Sequence, residues 1–131
     1  MFQFKNKVVV ITGGADGIGR ASALKFAAAG AHSIIWDIQE DKGKALQSEI
    51  KNLGGKAEFY RVDTTKITEI ENAVQQVLEN HEGIDFLINN AGITRDASFK
   101  KMSSEQWQQV IDVNLTGVFN CTKVIAPLML S

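Results

Sequence analysis

The sequence predicts an α/β fold, a doubly wound parallel sheet. Three observations predict it. Compact apolar runs alternate with helical segments through four strands, a glycine-rich turn joins the first run to the first helix, and an aspartate closes the second run.

Lys7 to Thr12 (KVVVIT) is a continuous β-branched run, as a strand covered on both faces requires. Glycines follow, then a helix from about Gly17 to Ala29, ended by Gly30. Ser33 to Asp37 (SIIWD) is a second short strand. Leu46, Ile50 and Leu53 fall at helical spacing, and Gly54-Gly55 stops that helix. Ala57 to Val62 is the third strand. Ile70, Ala73, Val74, Val77 and Leu78 then mark one face of an amphipathic helix. Asp85 to Asn89 (DFLIN) is the fourth strand. The last helix starts near Ser103, with Gln106 at capping-box spacing. Strands separated by helices pair in parallel through right-handed crossovers, and such a fold would place a further strand after the last helix.

The chain has 131 residues, enough for one domain, residues 1–131, and not for two. A net charge of −1 recommends neither nucleic acid nor an anionic membrane as a partner. The N-terminal run has no cleavage-type small-residue site and reads as a buried strand, and no segment approaches the ~20 apolar residues that span a bilayer. Cytoplasm is the expected location. One cysteine, Cys121, excludes an internal disulfide and a cysteine-based metal cluster, and His32 and His81 lie far apart in sequence, so no metal site is expected. Cys121, Trp36 and Trp107 read as packing residues. His81 stands near a helix end, and Lys100 and Lys101 read as a solvated loop.

The turn Thr12-Gly13-Gly14-Ala15-Asp16-Gly17-Ile18-Gly19 carries the chemistry. A tight strand-to-helix turn needs residues that tolerate positive φ, and a diphosphate needs bare backbone beside the N–H groups of a helix N-terminus. Gly13, Gly17 and Gly19 are placed for both. Asp16 can orient the loop but would repel a phosphate if aimed at it. A glycine pattern also arises where a turn merely needs glycine; here a strand precedes and a helix follows. Asp37, ~20 residues beyond the loop, can accept hydrogen bonds from ribose hydroxyls and would repel a 2′-phosphate, favouring NAD over NADP. A solvated strand-end aspartate is the alternative. Trp107, Val110, Ile111, Asn114 and Val118 share a helical stripe, which would bury the Asn114 amide and oblige it to find partners.

Thr12–Gly19 matches a TGxxxGxG pattern, Asn89-Asn90-Ala91-Gly92 an NNAG motif after the fourth strand, and Asn114 in DVNLTGVF a third. On these motifs the chain resembles the short-chain dehydrogenase/reductases over essentially its whole length, and NNAGITRD further resembles the bacterial 3-oxoacyl-[acyl-carrier-protein] reductases. The resemblance implies a Rossmann-type sheet truncated after about four strands. It also implies hydride transfer between a nicotinamide dinucleotide and a carbonyl or secondary alcohol, including a 3-oxoacyl thioester. Gly13, Asp16, Gly17, Ile18 and Gly19 would form the diphosphate and nicotinamide end, and Asp37 with Ile38 would hold the adenosine ribose. Asp63 beside Val62 would meet the adenine amino group. Asn90, Ala91 and Gly92 would support the ribose and the central sheet, and Asn114 would position a proton-relay water.

The family's serine and Tyr-x-x-x-Lys pair have no counterpart: the one tyrosine, Tyr60, is followed four residues on by Thr64. The resemblance therefore implies the N-terminal, cofactor-binding half of such an enzyme, inactive alone. It also implies a homo-oligomer, with the fourth strand as an edge and Val118, Phe119 and Ile125 exposed on the last helix. The alternative is a non-catalytic dinucleotide-binding or dimerisation module that pairs with another chain.

Overall fold

The computed structural model describes residues 3–92 and 101–130. Ile93 to Asp96 of the NNAGITRD stretch, and Lys100, lie outside them. Four parallel strands, β1 (Val8–Thr12), β2 (His32–Asp37), β3 (Lys56–Arg61) and β4 (Phe86–Ile88), stand in the order β3-β2-β1-β4. Helices α1 (Gly17–Ala28), α2 (Glu40–Asn52) and α3 (Ile67–Asn80) make the crossovers. A last continuous helical stretch comprises α4 (Ser104–Ile111), a π turn (Asp112–Thr116) and α5 (Gly117–Leu130). The fold is the Rossmann-type α/β sheet that the sequence predicts.

The strands divide their side chains by the period of two. Val8, Val10, Ile34 and Trp36 face α3 and α5, packing with Ile70, Val74, Val77, Cys121 and Ile125. Val9, Ile11, Ile35 and Ala57 face α1 and α2, packing with Ala23, Ala27, Leu46 and Ile50. Both faces being covered is why KVVVIT and SIIWD read as unbroken apolar runs. The chain leaves β3 on one side of β1 and returns as β4 on the other, so the winding direction reverses beside β1. That reversal opens a crevice at the carboxyl ends of the strands.

The helix signals hold where they are local. Ser103 caps α4 in a full capping box with Gln106. Gly30 and Gly54 follow α1 and α2 with φ of 95° and 87°. Leu53, expected on the apolar face, is instead the C-cap of α2 and 75% exposed, because the helix ends before completing that turn.

The last helix departs furthest from expectation. Its buried positions on α5 are Gly117, Asn120, Cys121 and Ile125. Ile125, expected to be exposed, is fully buried against α3 and the sheet, whereas Phe119 is 59% exposed and Trp107 58%. The π turn explains the change: its wider i→i+5 turn shifts the register of the stripe set by α4. Asn114 sits in that turn and is exposed, so the expected buried amide is corrected. The buried amide is Asn120, which donates through Nδ2 to the Thr64 carbonyl at 3.1 Å. By length and composition Ser104–Leu130 would also reach across a bilayer, contrary to the sequence expectation; here one side of it is spent on the sheet layer.

Burial pushes the Cys121 thiol up to about 12. Only a thiolate reacts, so Cys121 is expected to resist maleimide in the native protein and label once urea unfolds it. Rapid native labelling would show that α5 does not stay docked.

Candidate functional site

A cavity of about 390 Å³ fills the crevice where the winding reverses. The turn after β1 supplies Gly13, Asp16, Gly17 and Ile18. The end of β2 supplies Trp36, Asp37, Ile38 and Gln39; the chain after β3 supplies Val62, Asp63 and Thr64; the chain after β4 supplies Asn90, Ala91 and Gly92. Val113 closes it from the π turn.

The turn is held by a small set of polar contacts. Thr12 ends β1 buried, and its Oγ1 accepts from the backbone N–H of Asn90 and of Ala91, both at 3.0 Å. Asn90 Nδ2 donates back to the Gly13 carbonyl at 3.0 Å. The Asn-Asn-Ala-Gly segment thus fastens the turn after β1 to the end of β4. Space is equally confined: a Cβ on Gly13, whose φ is 62°, would stand 2.8 Å from Ala91 Cα. Gly19 does not line the cavity; it packs behind it, against Gly13 and Asn90. Gly17, at φ 57°, has nothing within 4 Å of the Cβ it lacks and is open to the cavity.

Asp16 is the N-cap of α1 and accepts from the Gly17 N–H at 2.9 Å. Its other oxygen takes Lys42 Nζ at 2.8 Å. That hydrogen bond, then the Gly17 N–H, hold its carboxyl below the ordinary value. The anion is therefore directed back at its own helix terminus and at Lys42. The N–H groups of Ile18 and Gly19 remain first-turn donors of the kind that bind anions.

Asp37 is 7% exposed. Its Oδ2 accepts from the Ala15 N–H and its Oδ1 from the Gln39 N–H, each at 3.0 Å. A solvated strand-end aspartate is thereby excluded: the carboxylate braces the glycine turn from the wall of the cavity. Asp63 holds the turn into α3, accepting from both the N–H and the hydroxyl of Thr65. Burial would raise its pKa, but those two hydrogen bonds together with the Lys66 and Arg61 charges hold the carboxyl low.

Asn114 does not line the cavity but neighbours its mouth, since a Cβ on Gly92 would stand 3.3 Å from Asn114 Oδ1. Sequence reasoning missed Trp36, Gln39, Thr64 and Val113 as lining residues. Position after a strand could have found Gln39 and Thr64; nothing local marks Val113. Trp36 is fully buried, and among the described residues its Nε1–H finds no acceptor, at a cost of about 1–3 kcal/mol.

The arrangement suits an elongated ligand with an anionic middle at a bare-backbone turn and a hydroxyl-bearing end beside a carboxylate. Gly13 lacks a side chain because Ala91 and Asn90 fill that space, whereas Gly17, at positive φ, leaves bare backbone open to the cavity beside the first-turn donors.

The sequence pattern of the family described as short chain dehydrogenase matches residues 7–131. A 3-oxoacyl-[acyl-carrier-protein] reductase FabG of Thermotoga maritima is 43% identical over 128 residues, covering 98% of this chain and 52% of that protein. A 2,5-dichloro-2,5-cyclohexadiene-1,4-diol dehydrogenase, LinX, of Sphingobium indicum is 39% identical over 121 residues, 92% of this chain and 48% of its own length. Among solved structures, a short chain dehydrogenase/reductase from Burkholderia phymatum in complex with NAD superposes with a TM-score of 0.93 at 32% identity. It covers 99% of this chain, which in turn spans 46% of that one. The chain therefore spans about half the length of the curated relatives it matches.

Proposed function

The chain belongs to the short-chain dehydrogenase family, and from that premise we propose that it forms the NAD-binding part of an oxidoreductase acting on a carbonyl or secondary alcohol, with 3-oxoacyl thioesters as the leading substrate class. The observation that carries this reading is the glycine turn braced by Asp37 and Asn90 at the reversal of the sheet. The dinucleotide, when bound, supplies the hydride.

This chain's residues bind and orient. The turn from Gly13 to Gly19, with Ile18 at its tip, holds the diphosphate. Asp37 accepts from the adenosine ribose beside Ile38, and Asp63 meets the adenine amino group beside Val62. Asn90, Ala91 and Gly92 fix the nicotinamide-side ribose, and Asn114 positions water at the mouth. A 2′-phosphate next to Asp37 would meet an anion, and Lys42 on α2 is already engaged by Asp16. Both facts support NAD over NADP.

Proton donation to a substrate oxygen needs a group within hydrogen-bond reach, with a pKa near the working pH. Tyr60 has neither: its hydroxyl donates to Glu58 Oε1 at 2.7 Å, and burial, then that carboxylate, push its pKa up. We read these 131 residues as binding without turnover. Trp107, Leu115 and Phe119, each more than half exposed on the last helix, support a homo-oligomer through that face.

Calorimetry with NADH and NADPH tests the reading, run beside a reductase assay with a 3-oxoacyl thioester and light scattering. Saturable binding, tighter for NADH, with no turnover and a mass above one chain is the expected result. Tighter NADPH binding overturns the choice of cofactor, and turnover overturns the assignment of binding alone. A folded sample that binds neither nucleotide overturns the site.

A further inference from the structure

The two histidines, distant in sequence, meet in the fold. His32 opens β2, Glu58 lies in β3, and His81 caps the C-terminus of α3. Pairing of β2 with β3 puts His32 opposite Lys56 and Ile34 opposite Glu58. His32, Glu58 and Tyr60 therefore share the sheet face that α3 covers, and His81 drops onto that face from the helix end. One imidazole nitrogen from each histidine and a Glu58 oxygen all lie within 4.8 Å of one another. Their distance in sequence is overcome by the strand register, which no local pattern reveals.

We propose that His32, Glu58 and His81 form a binding site for one divalent transition-metal ion, with Zn²⁺ the best fit. Two imidazoles and one carboxylate are the donor set that borderline ions such as Zn²⁺, Co²⁺ and Ni²⁺ take, whereas Mg²⁺ and Ca²⁺ take oxygens. Ligands ~2.0–2.2 Å from a zinc ion stand ~3.3 Å apart, so the widest gap closes by about 1.5 Å, within the reach of side-chain rotation. Glu58 is already oriented for this. The Tyr60 hydroxyl holds its Oε1 at 2.7 Å, which leaves Oε2 turned to His81. Such an outer hydrogen bond is what fixes a ligating carboxylate in metal sites.

A simple ion pair would need one imidazole; the second stands edge-on to the first, ring centroids 4.9 Å apart, and brings a third donor atom to the cluster. Lys56, opposite His32 in the strand register, has its Nζ at 3.2 Å from Asn6 Oδ1. A solvent-open hollow bordered by Lys5, Lys7, Asn80 and Asp85 reaches the cluster at His81. β2 begins at His32 and ends at Asp37, so this site lies roughly 16 Å from the dinucleotide cavity and is independent of it. An ion there would clamp β2, β3 and the end of α3 together.

The test titrates tag-free protein with Co²⁺ and Zn²⁺, following Co²⁺ absorption and the Zn²⁺-dependent unfolding midpoint. With two histidines in the chain and its cysteine buried, few other sites compete. We expect one ion per chain, an unfolding midpoint that rises with Zn²⁺, and binding weakened about tenfold or more by His32→Asn, His81→Gln or Glu58→Gln. Tyr60→Phe should weaken it about tenfold through the outer hydrogen bond. Absence of saturable uptake by the unaltered protein, or uptake unchanged in the double histidine variant, would falsify the site. Should the variants fail to fold, nitrogen NMR of the unaltered protein decides: both imidazoles must shift together with one equivalent of Zn²⁺, and a response from only one overturns the proposal.

Discussion

Gly19→Ala is expected to lower stability by about 1–3 kcal/mol, the range for forcing atoms into a packed interior, and to abolish dinucleotide binding. The added Cβ would stand inside van der Waals contact of the Gly13 carbonyl oxygen, 2.9 Å from Gly13 C and 2.5 Å from Asn90 Nδ2. It would therefore wedge into the hydrogen bond that fastens the glycine turn to the end of β4. Neither obstacle is a flexible side-chain tip, since the carbonyl is backbone and Asn90 is held by it. Two further alanine variants separate sterics from loss of glycine as such. Gly83→Ala has open space around its new Cβ and should leave both stability and binding unchanged. Gly17→Ala meets nothing within 4 Å but must hold a φ of 57°, so it should cost about 1–2 kcal/mol while projecting a methyl into the cavity. Urea midpoints and NADH calorimetry on the three proteins measure all of this. Unaltered binding by Gly19→Ala would mean that the turn does not carry the ligand.

Asp37→Ala should produce the second large effect, and on two readouts at once. Removing the carboxylate leaves the buried Ala15 N–H without its acceptor, which costs about 1–3 kcal/mol of stability. On the proposed function it also removes the acceptor for the ribose hydroxyls, so NADH affinity should fall by roughly ten- to a hundredfold, since hydrogen bonds to charged groups contribute ~1.5–3 kcal/mol. The ratio of NADH to NADPH affinity is the decisive quantity. A loosened turn weakens both nucleotides alike, whereas loss of the negative charge favours NADPH alone. An unchanged ratio with both weakened would reduce Asp37 to a brace for the turn and withdraw the preference for NAD.

The brace that Asp37 gives the glycine turn shows where sequence and structure part. Its place at the end of β2, some twenty residues after the glycine turn, is a local signal, and so is the turn. What the carboxylate bonds to is not, because Ala15 lies on another crossover and reaches Asp37 only through the pairing of β1 with β2. Asn114 makes the same point from the other side. A uniform helical period put it on the buried stripe, but the π turn at Asp112–Thr116 moved that stripe to Gly117, Asn120 and Cys121. The period is legible only while the backbone keeps one geometry.

The sequence by itself determined the alternation of strand and helix, the cap at Ser103, the helix stops at Gly30 and Gly54, and the bare-backbone turn from Gly13 to Gly19. Each depends on backbone sterics or on side-chain spacing within a few residues. The tertiary structure alone decided the order β3-β2-β1-β4, and with it the cavity at the reversal beside β1, the brace from Asp37 to Ala15, the burial of Ile125, and the meeting of His32 with Glu58 and His81. Those features join residues that only strand register and layer packing bring together, and the free energy that selects one register is spread over the whole core, with no single segment carrying its mark.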